Sequence, residues 1–281
     1  MGSELRTVLN GECFAPLWQA YMAISRLKWR DLMLAGIASG MSEATERLYL
    51  DVCRPYFSSI WGMPKREHTG ALEAFLESLM HPSEHILSGI STSGEAAGYA
   101  MHGVASVQVP DALDAFLGLD HVVRTGWTRV IPAFADGLGT GVETVDEHSV
   151  KTAFLAGMMA PEAFGWAFLM GLVHDHAELV VGDLTPGQVR DRRKKMETEC
   201  SAYGKMLDES GLAKNITARL RLAFFECMED RTRVAHCVHI ADKLDMAMQA
   251  MLYERQTSID LEEFLDSSES VFRNYMPNGA I

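Results

Sequence analysis

The spacing of apolar residues constrains this chain more than any other feature. Over nearly its whole length they recur at intervals of three and four, the period at which one face of a helix is buried; strict alternation is confined to residues 104–109 (VASVQV). A chain patterned in this way is predicted to be all-α. Candidate helices cover 13–38, 42–60, 69–80 and 111–123, then 147–160, 162–180, 187–209, 213–229, 231–255 and 260–275. Several carry their own punctuation. Pro161-Glu162 suits a first helical turn, Gly182-Asp183 followed by Pro186 stops a helix, and Gly211 separates two more.

With 281 residues, 48% of them hydrophobic, the chain can bury a sizeable core. Between residues 85 and 110 the composition turns to small, weakly charged residues, so a boundary is placed near 110. That divides the chain into an additional N-terminal helical region of unassigned role, 1–110, and a second unit, 111–281. Residues 131–142 (IPAFADGLGTGV) are rich in glycine and proline and are predicted to form a loop.

Charge narrows the range of partners. There are 38 acidic residues and 25 basic ones, a net charge of −13, and such a surface repels a long polyanion unless a basic stripe is set apart from it. The one candidate stripe, Arg190, Arg192, Arg193, Lys194 and Lys195, is interleaved with Asp191 and Glu197 and reads as a solvated helix face. A nucleic acid polymer is therefore not expected as a partner. Nor is a membrane, because the longest apolar stretches fall short of the roughly 20 residues a span requires. Glu4 and Arg6 stand where a leader peptide would need apolar residues, which points to a cytoplasmic protein. The cysteines, Cys13, Cys53, Cys200, Cys227 and Cys237, are scattered without a C-x-x-C pair, which argues against a disulfide framework or a zinc knuckle.

The chemistry concentrates in residues 172–183, LVHDHAELVVGD. His174 and Asp175 are adjacent, and Glu178 follows at a spacing that puts its carboxylate on the same helical face, within reach of a water held by a metal. Two more ligand-type residues stand on other predicted helices. His148 opens the helix that follows the glycine-rich loop, and Asp242 lies in the middle of a later helix with an apolar face of Val234, Val238, Ala241, Met248 and Leu252. Two imidazoles and two carboxylates make a mixed nitrogen and oxygen site, suited to one divalent cation of manganese, cobalt, iron or zinc. Taken singly, each residue reads as a satisfied core histidine or half of a surface ion pair. Their combination is what points to a site.

These residues stand in longer matching segments: Val123-Arg124-Thr125-Gly126-Trp127, Val145-Asp146-Glu147-His148-Ser149, the string HDxAExxxGDxxP from His174 to Pro186, and Ala241-Asp242-Lys243-Leu244-Asp245 followed by Gln249-Ala250 and Tyr253-Glu254. On them, residues 113–254 resemble the HD-domain superfamily of metal-dependent phosphohydrolases, and within it the YfbR-like and HD-domain-containing-protein-2 5′-deoxynucleotidases. The resemblance implies an HD-domain helical bundle in which His148, His174, Asp175 and Asp242 hold the metal. It implies that Glu178 orients or deprotonates the attacking water, that Arg124 grips the substrate phosphate with a planar, permanently charged fork, and that Asp183 contacts the sugar. Lys151, one turn after His148, is a candidate to add positive charge near the phosphate. The family also implies a homodimer. The first 110 residues fall outside the resemblance, and the stretch between Arg124 and His148 is longer than in the family, which leaves the substrate open.

The expected activity is removal of phosphate from (deoxy)nucleoside 5′-monophosphates by a metal-activated water. The alternatives are a hydrolase of nucleoside triphosphates or of a nucleotide-like metabolite, and a non-catalytic nucleotide-binding sensor. A guanosine tetraphosphate hydrolase would continue its motif His-Asp-x-x-Glu-Asp, but Leu179 occupies the last place. A diiron oxygenase would need further histidines between Asp175 and Asp242, where only His176, His236 and His239 occur.

Overall fold

A computed structural model describes residues 3–61, 70–80, 109–131, 141–184 and 191–276. The alternating segment 104–109, apart from Val109, and most of the glycine-rich segment 131–142 lie outside these residues, as do His68, His81, His85 and His102.

The all-α expectation holds: the described residues form helices and turns, and their only β pairing is an isolated bridge between Val123 and Thr144. In the N-terminal part, α1 (Glu4–Leu9), α2 (Ala15–Ile24), α3 (Trp29–Ala38), α4 (Glu43–Trp61) and α5 (Ala71–Met80) follow one another. The single helix predicted over 13–38 is broken. Ile24 and Trp29 are both almost wholly buried, and five residues along a continuous helix would turn them about 140° apart; the turn after Ile24 lets both face one core. Ser3 caps α1 by accepting from the Leu5 amide at 3.2 Å.

Beyond residue 110 come α6 (Asp111–Phe116), α7 (Thr125–Val130), α8 (Val145–Met159), α9 (Phe164–Val173), α10 (Glu178–Val181), α11 (Arg192–Glu209), α12 (Lys214–Glu229), α13 (Arg233–Thr257) and α14 (Glu262–Tyr275). Helix α8 is buried around almost its whole circumference, as befits a helix enclosed by others. It packs on α9 and α13, while α2, α3 and α5 from the N-terminal part cover its remaining face. One cluster of buried apolar side chains runs without interruption from Leu5 to Met276. The two ends of the chain are tied together: Arg6 donates to Glu254 and Glu262, and Ser3 Oγ donates to Glu269 at 2.8 Å.

Helices α8 and α9 approach closely where Gly171 faces the backbone of Ala153. A Cβ at Gly171 would lie 2.5 Å from Ala153 Cα, closer than side chains tolerate. This contact sets the separation of the helix that carries His148 and the helix that ends just before His174.

Candidate metal centre

Local backbone chemistry sets the site residues in place. The Arg124 amide donates to the Glu143 carbonyl at 3.0 Å and the Val145 amide to the Val122 carbonyl at 2.8 Å, which pins Arg124 beside the start of α8. Thr144 and Glu147 form a reciprocal capping box at that start, so His148 leaves the first turn of a firmly ended helix. On the other side α9 stops at Val173, and residues 174–177 form a turn instead of continuing the helix predicted over 162–180. The last carbonyls of α9 explain the stop. Gly171 O accepts from His174 Nδ1 at 2.8 Å, Leu172 O from Trp29 Nε1 at 2.7 Å, and Val173 O from the His176 amide at 3.0 Å. His174 and Asp175 therefore project from a corner.

The structure brings His148, His174, Asp175 and Asp242 together. One ligand atom each from His148, His174 and Asp242 lies within 4.8 Å of the others. Asp175 Oδ2 is 3.5 Å from His148 Nε2 and 3.2 Å from His174 Nε2, and Asp242 Oδ1 is 3.2 Å from His148 Nε2. Both imidazole Nε2 atoms are buried and lack a hydrogen-bond partner. Their Nδ1 atoms are engaged, His174 with a carbonyl that can only accept and His148 with Asp245 Oδ2 at 2.5 Å. With the proton held on each Nδ1, a cation that displaces any proton from Nε2 meets a lone pair turned to the shared point. Two such nitrogens beside two carboxylates fit a divalent cation.

Arg124 spans the same carboxylates, with Nη1 2.9 Å from Asp175 Oδ2 and Nη2 4.0 Å from Asp242 Oδ1. Burial works against its charge, but Asp175, Asp242, Glu178 and Asp183 outweigh this and raise its pKa. Burial likewise opposes ionisation of Asp175, yet His174 and Arg124 hold it well below the usual carboxylate range; Lys243 and His148 do the same for Asp242. Burial and Arg124 push His148 down, and Asp245 and Asp242 overcome them, raising it to about 9. Glu178 behaves oppositely. It opens α10, is 4% exposed, has Oε2 unpartnered, and is pushed well above the usual range by burial and then by Asp175 and Asp183. His176, beside the doublet, turns away from the site: Nε2 meets the Phe116 carbonyl at 2.8 Å, and burial lowers it to about 4.

Asp183 lies alongside. One carboxylate oxygen accepts from the Thr125 amide at 2.5 Å, next to Arg124, and its charge acts on both Arg124 and Glu178. Lys151 departs from its expected place near a phosphate. It is buried at 4% exposure, with Nζ donating to Glu143 and to Gln249 at 2.9 Å and lying 3.4 Å from Asp245 Oδ1. Its three-residue spacing from His148 aims it along α8 into the core behind the imidazole, where buried carboxylates hold it. Glu143, His148 and Asp245 form a second group of possible ligands, but Lys151 is the cation between the two carboxylates; a third group, Glu254, Asp260 and Glu262, is similarly occupied by Arg6.

Three contributors had no role assigned from sequence. Asp245 backs His148, and the available signal was its three-residue spacing from Asp242 on one helix face. Glu143 accepts from Trp127 Nε1 at 2.8 Å as well as from Lys151, and no spacing pattern marks it. Lys195, part of the run expected to be a solvated face, is 30% exposed and pairs with Glu199 at 3.1 Å. Burial opposes its charge, but Glu199, Asp175 and Glu178 raise it, so its ammonium belongs to the field of the site.

The 5′-deoxynucleotidase HDDC2 of Dictyostelium discoideum is 30% identical over 110 residues, which span 37% of this chain and 57% of that relative. Among solved structures, the PH0347 protein of Pyrococcus horikoshii OT3 is 25% identical with a TM-score of 0.46, covering 58% of this chain and 88% of that one. A conserved hypothetical protein of Pyrococcus furiosus is similar at 25% identity and a TM-score of 0.45, over 58% of this chain and 89% of its own. A family model described as HD domain matches residues 119–279, more than half of the chain and the whole of the site, and the chain therefore belongs to the HD-domain family.

Proposed function

We propose that this protein is a metal-dependent phosphohydrolase that removes phosphate from (deoxy)nucleoside 5′-monophosphates, with His148, His174, Asp175 and Asp242 holding one divalent cation. The observation that carries the proposal is the pair of buried Nε2 atoms of His148 and His174, without hydrogen-bond partners, turned toward two ionised carboxylates. A cation bound there supplies Lewis acidity, drawing charge from phosphate oxygens and making a water easier to deprotonate.

The chain's own groups do the rest. Arg124, paired with Asp175, offers its fork to the phosphate, for which a guanidinium is well shaped. Glu178, whose carboxyl is pushed above the usual range by burial and by Asp175 and Asp183, is the group that takes up and returns a proton at its Oε2 atom. Asp183, held beside Arg124 by the Thr125 amide, has a second oxygen with which to accept from a sugar hydroxyl. The assignment to 5′-monophosphates rests on similarity to a relative named as a 5′-deoxynucleotidase.

The test is phosphate release from a panel of nucleoside mono-, di- and triphosphates by metal-free protein to which manganese or cobalt is returned. Monophosphate turnover that depends on the metal is the expected result; turnover confined to triphosphates would replace the substrate, and none with any member would remove the enzyme reading. Glu178→Gln should bind metal as wild type does and turn over about a hundredfold or more slower. Normal turnover by that variant would remove Glu178 from the mechanism.

A further inference from the structure

His148 is held from behind by a residue of the N-terminal helices. Its Nδ1 faces Asp245 Oδ2 at 2.5 Å, and the other oxygen, Asp245 Oδ1, accepts from the hydroxyl of Tyr21 at 2.5 Å. Tyr21 lies in α2, far from the doublet in sequence, and it and Asp245 are almost wholly buried. Lys151 completes the arrangement: Nζ is 3.4 Å from Asp245 Oδ1 and 5.1 Å from the centre of the Tyr21 ring.

From this geometry we infer that Tyr21 is a positioning residue for the metal centre, acting through Asp245 on His148, so that the N-terminal helices form part of the site. The inference rests on the metal site proposed above. A buried carboxylate can rotate about its last bond, and its grip on an imidazole depends on what fixes the far oxygen. Tyr21 fixes it with a directed hydrogen bond. Lys151 alone would do so less well, because the same ammonium also serves Glu143 and Gln249. With Oδ1 fixed, Oδ2 keeps the proton on His148 Nδ1, and the Nε2 lone pair stays turned toward His174 and Asp242. Partners of this kind commonly contribute ten- to hundredfold to metal affinity.

The experiment titrates cobalt(II) alone into metal-free, full-length protein and follows its visible d–d absorption. Tyr21→Phe deletes the hydroxyl while keeping the ring against Lys151, and it should weaken cobalt binding on the order of tenfold. Asp245→Asn should weaken it at least as much, and adding Tyr21→Phe to that variant should cost little more, because the tyrosine acts through the carboxylate. Tyr49→Phe is the structural control. Tyr49 is buried in the same helical layer and donates to the Leu32 carbonyl at 3.2 Å, so its loss is felt in stability and not in cobalt affinity.

Wild-type affinity in Tyr21→Phe, or an equal loss in Tyr49→Phe, overturns the inference. Should Asp245→Asn not fold, the comparison of Tyr21→Phe with Tyr49→Phe decides alone. His148→Ala separates the two proposals: if it binds cobalt as wild type does, the metal site itself is wrong, whereas loss in His148→Ala with none in Tyr21→Phe sinks only the tyrosine.

Discussion

Replacing Gly171 by alanine adds one methyl group at the contact between α8, which carries His148, and α9, which ends just before His174. The new Cβ would lie 2.5 Å from Ala153 Cα, 2.9 Å from Ala153 N and 3.2 Å from Ala153 Cβ, where ordinary contact begins near 3.4 Å. The main obstacle is backbone, so no side chain can swing aside. Helices α8 and α9 must part by about 1 Å, the shortfall between 2.5 and 3.4 Å. Overpacking of this kind costs about 3 kcal/mol at the upper end of its range, and exchanging glycine for alanine within a helix returns about 1 kcal/mol, leaving a net loss of about 2 kcal/mol. Gly204→Ala is the matched control. Its Cβ would meet only Arg221 Nη1, at 3.0 Å, the far end of a flexible side chain, so the helical gain of about 1 kcal/mol should survive. Urea unfolding of the metal-free proteins should therefore separate the two variants by about 3 kcal/mol with opposite signs. Because Gly171 O also orients His174, cobalt affinity should fall in Gly171→Ala and stay unchanged in Gly204→Ala. Equal stability of the two variants, or full metal affinity in Gly171→Ala, would refute the claim that this contact sets the spacing of the site.

Arg124→Leu should destabilise the metal-free protein by about 3 kcal/mol, because it removes the buried guanidinium paired with Asp175; added metal should recover much of the loss, and an equal deficit with and without metal would count against it. Acid should loosen the junction of the chain ends. Hydrogen bonds from Arg6 lower Glu254, and those from Arg273, Leu5 and Ser3 lower Glu269 against the effect of burial. A carboxylate whose folded pKa lies below the unfolded value contributes stability above the unfolded value, here near 4.5, and loses it as pH falls through the folded one. The difference in urea midpoint between wild type and Glu254→Gln should thus be present at pH 7 and shrink below about pH 4, this half-buried pair contributing about 1 kcal/mol. A gap that is constant with pH would contradict this assignment.

The helical class was readable from spacing because each helix buries one face or is buried throughout, and that requirement acts on every turn. His148, His174, Asp175 and Asp242 were readable only in combination, as a His-Asp doublet with a His and an Asp on other helices, set in segments that resemble the family. The break after Val173 was not, since Ala177 and Leu179 continue the apolar rhythm, and the stop depends on Trp29 and on the His174 ring taking carbonyls that α9 would otherwise use. Lys151 misled for a related reason. Its spacing from His148 is right for a neighbour of the site, but whether it faces solvent or core is decided by Glu143 and Asp245, whose burial arises only when distant segments pack. Tyr21 is the extreme case, an aromatic residue on an apolar face that no local pattern distinguishes from its neighbours.

The early end of α9 carries a further consequence. Peptide dipoles in a helix add up to a partial negative charge at its C-terminus, and here that end opens directly onto the corner from which His174 and Asp175 project. The scaffold itself thus makes the location attractive to positive charge before any carboxylate is considered. Arg124 answers that attraction as well, its guanidinium held between Asp175 and Asp242.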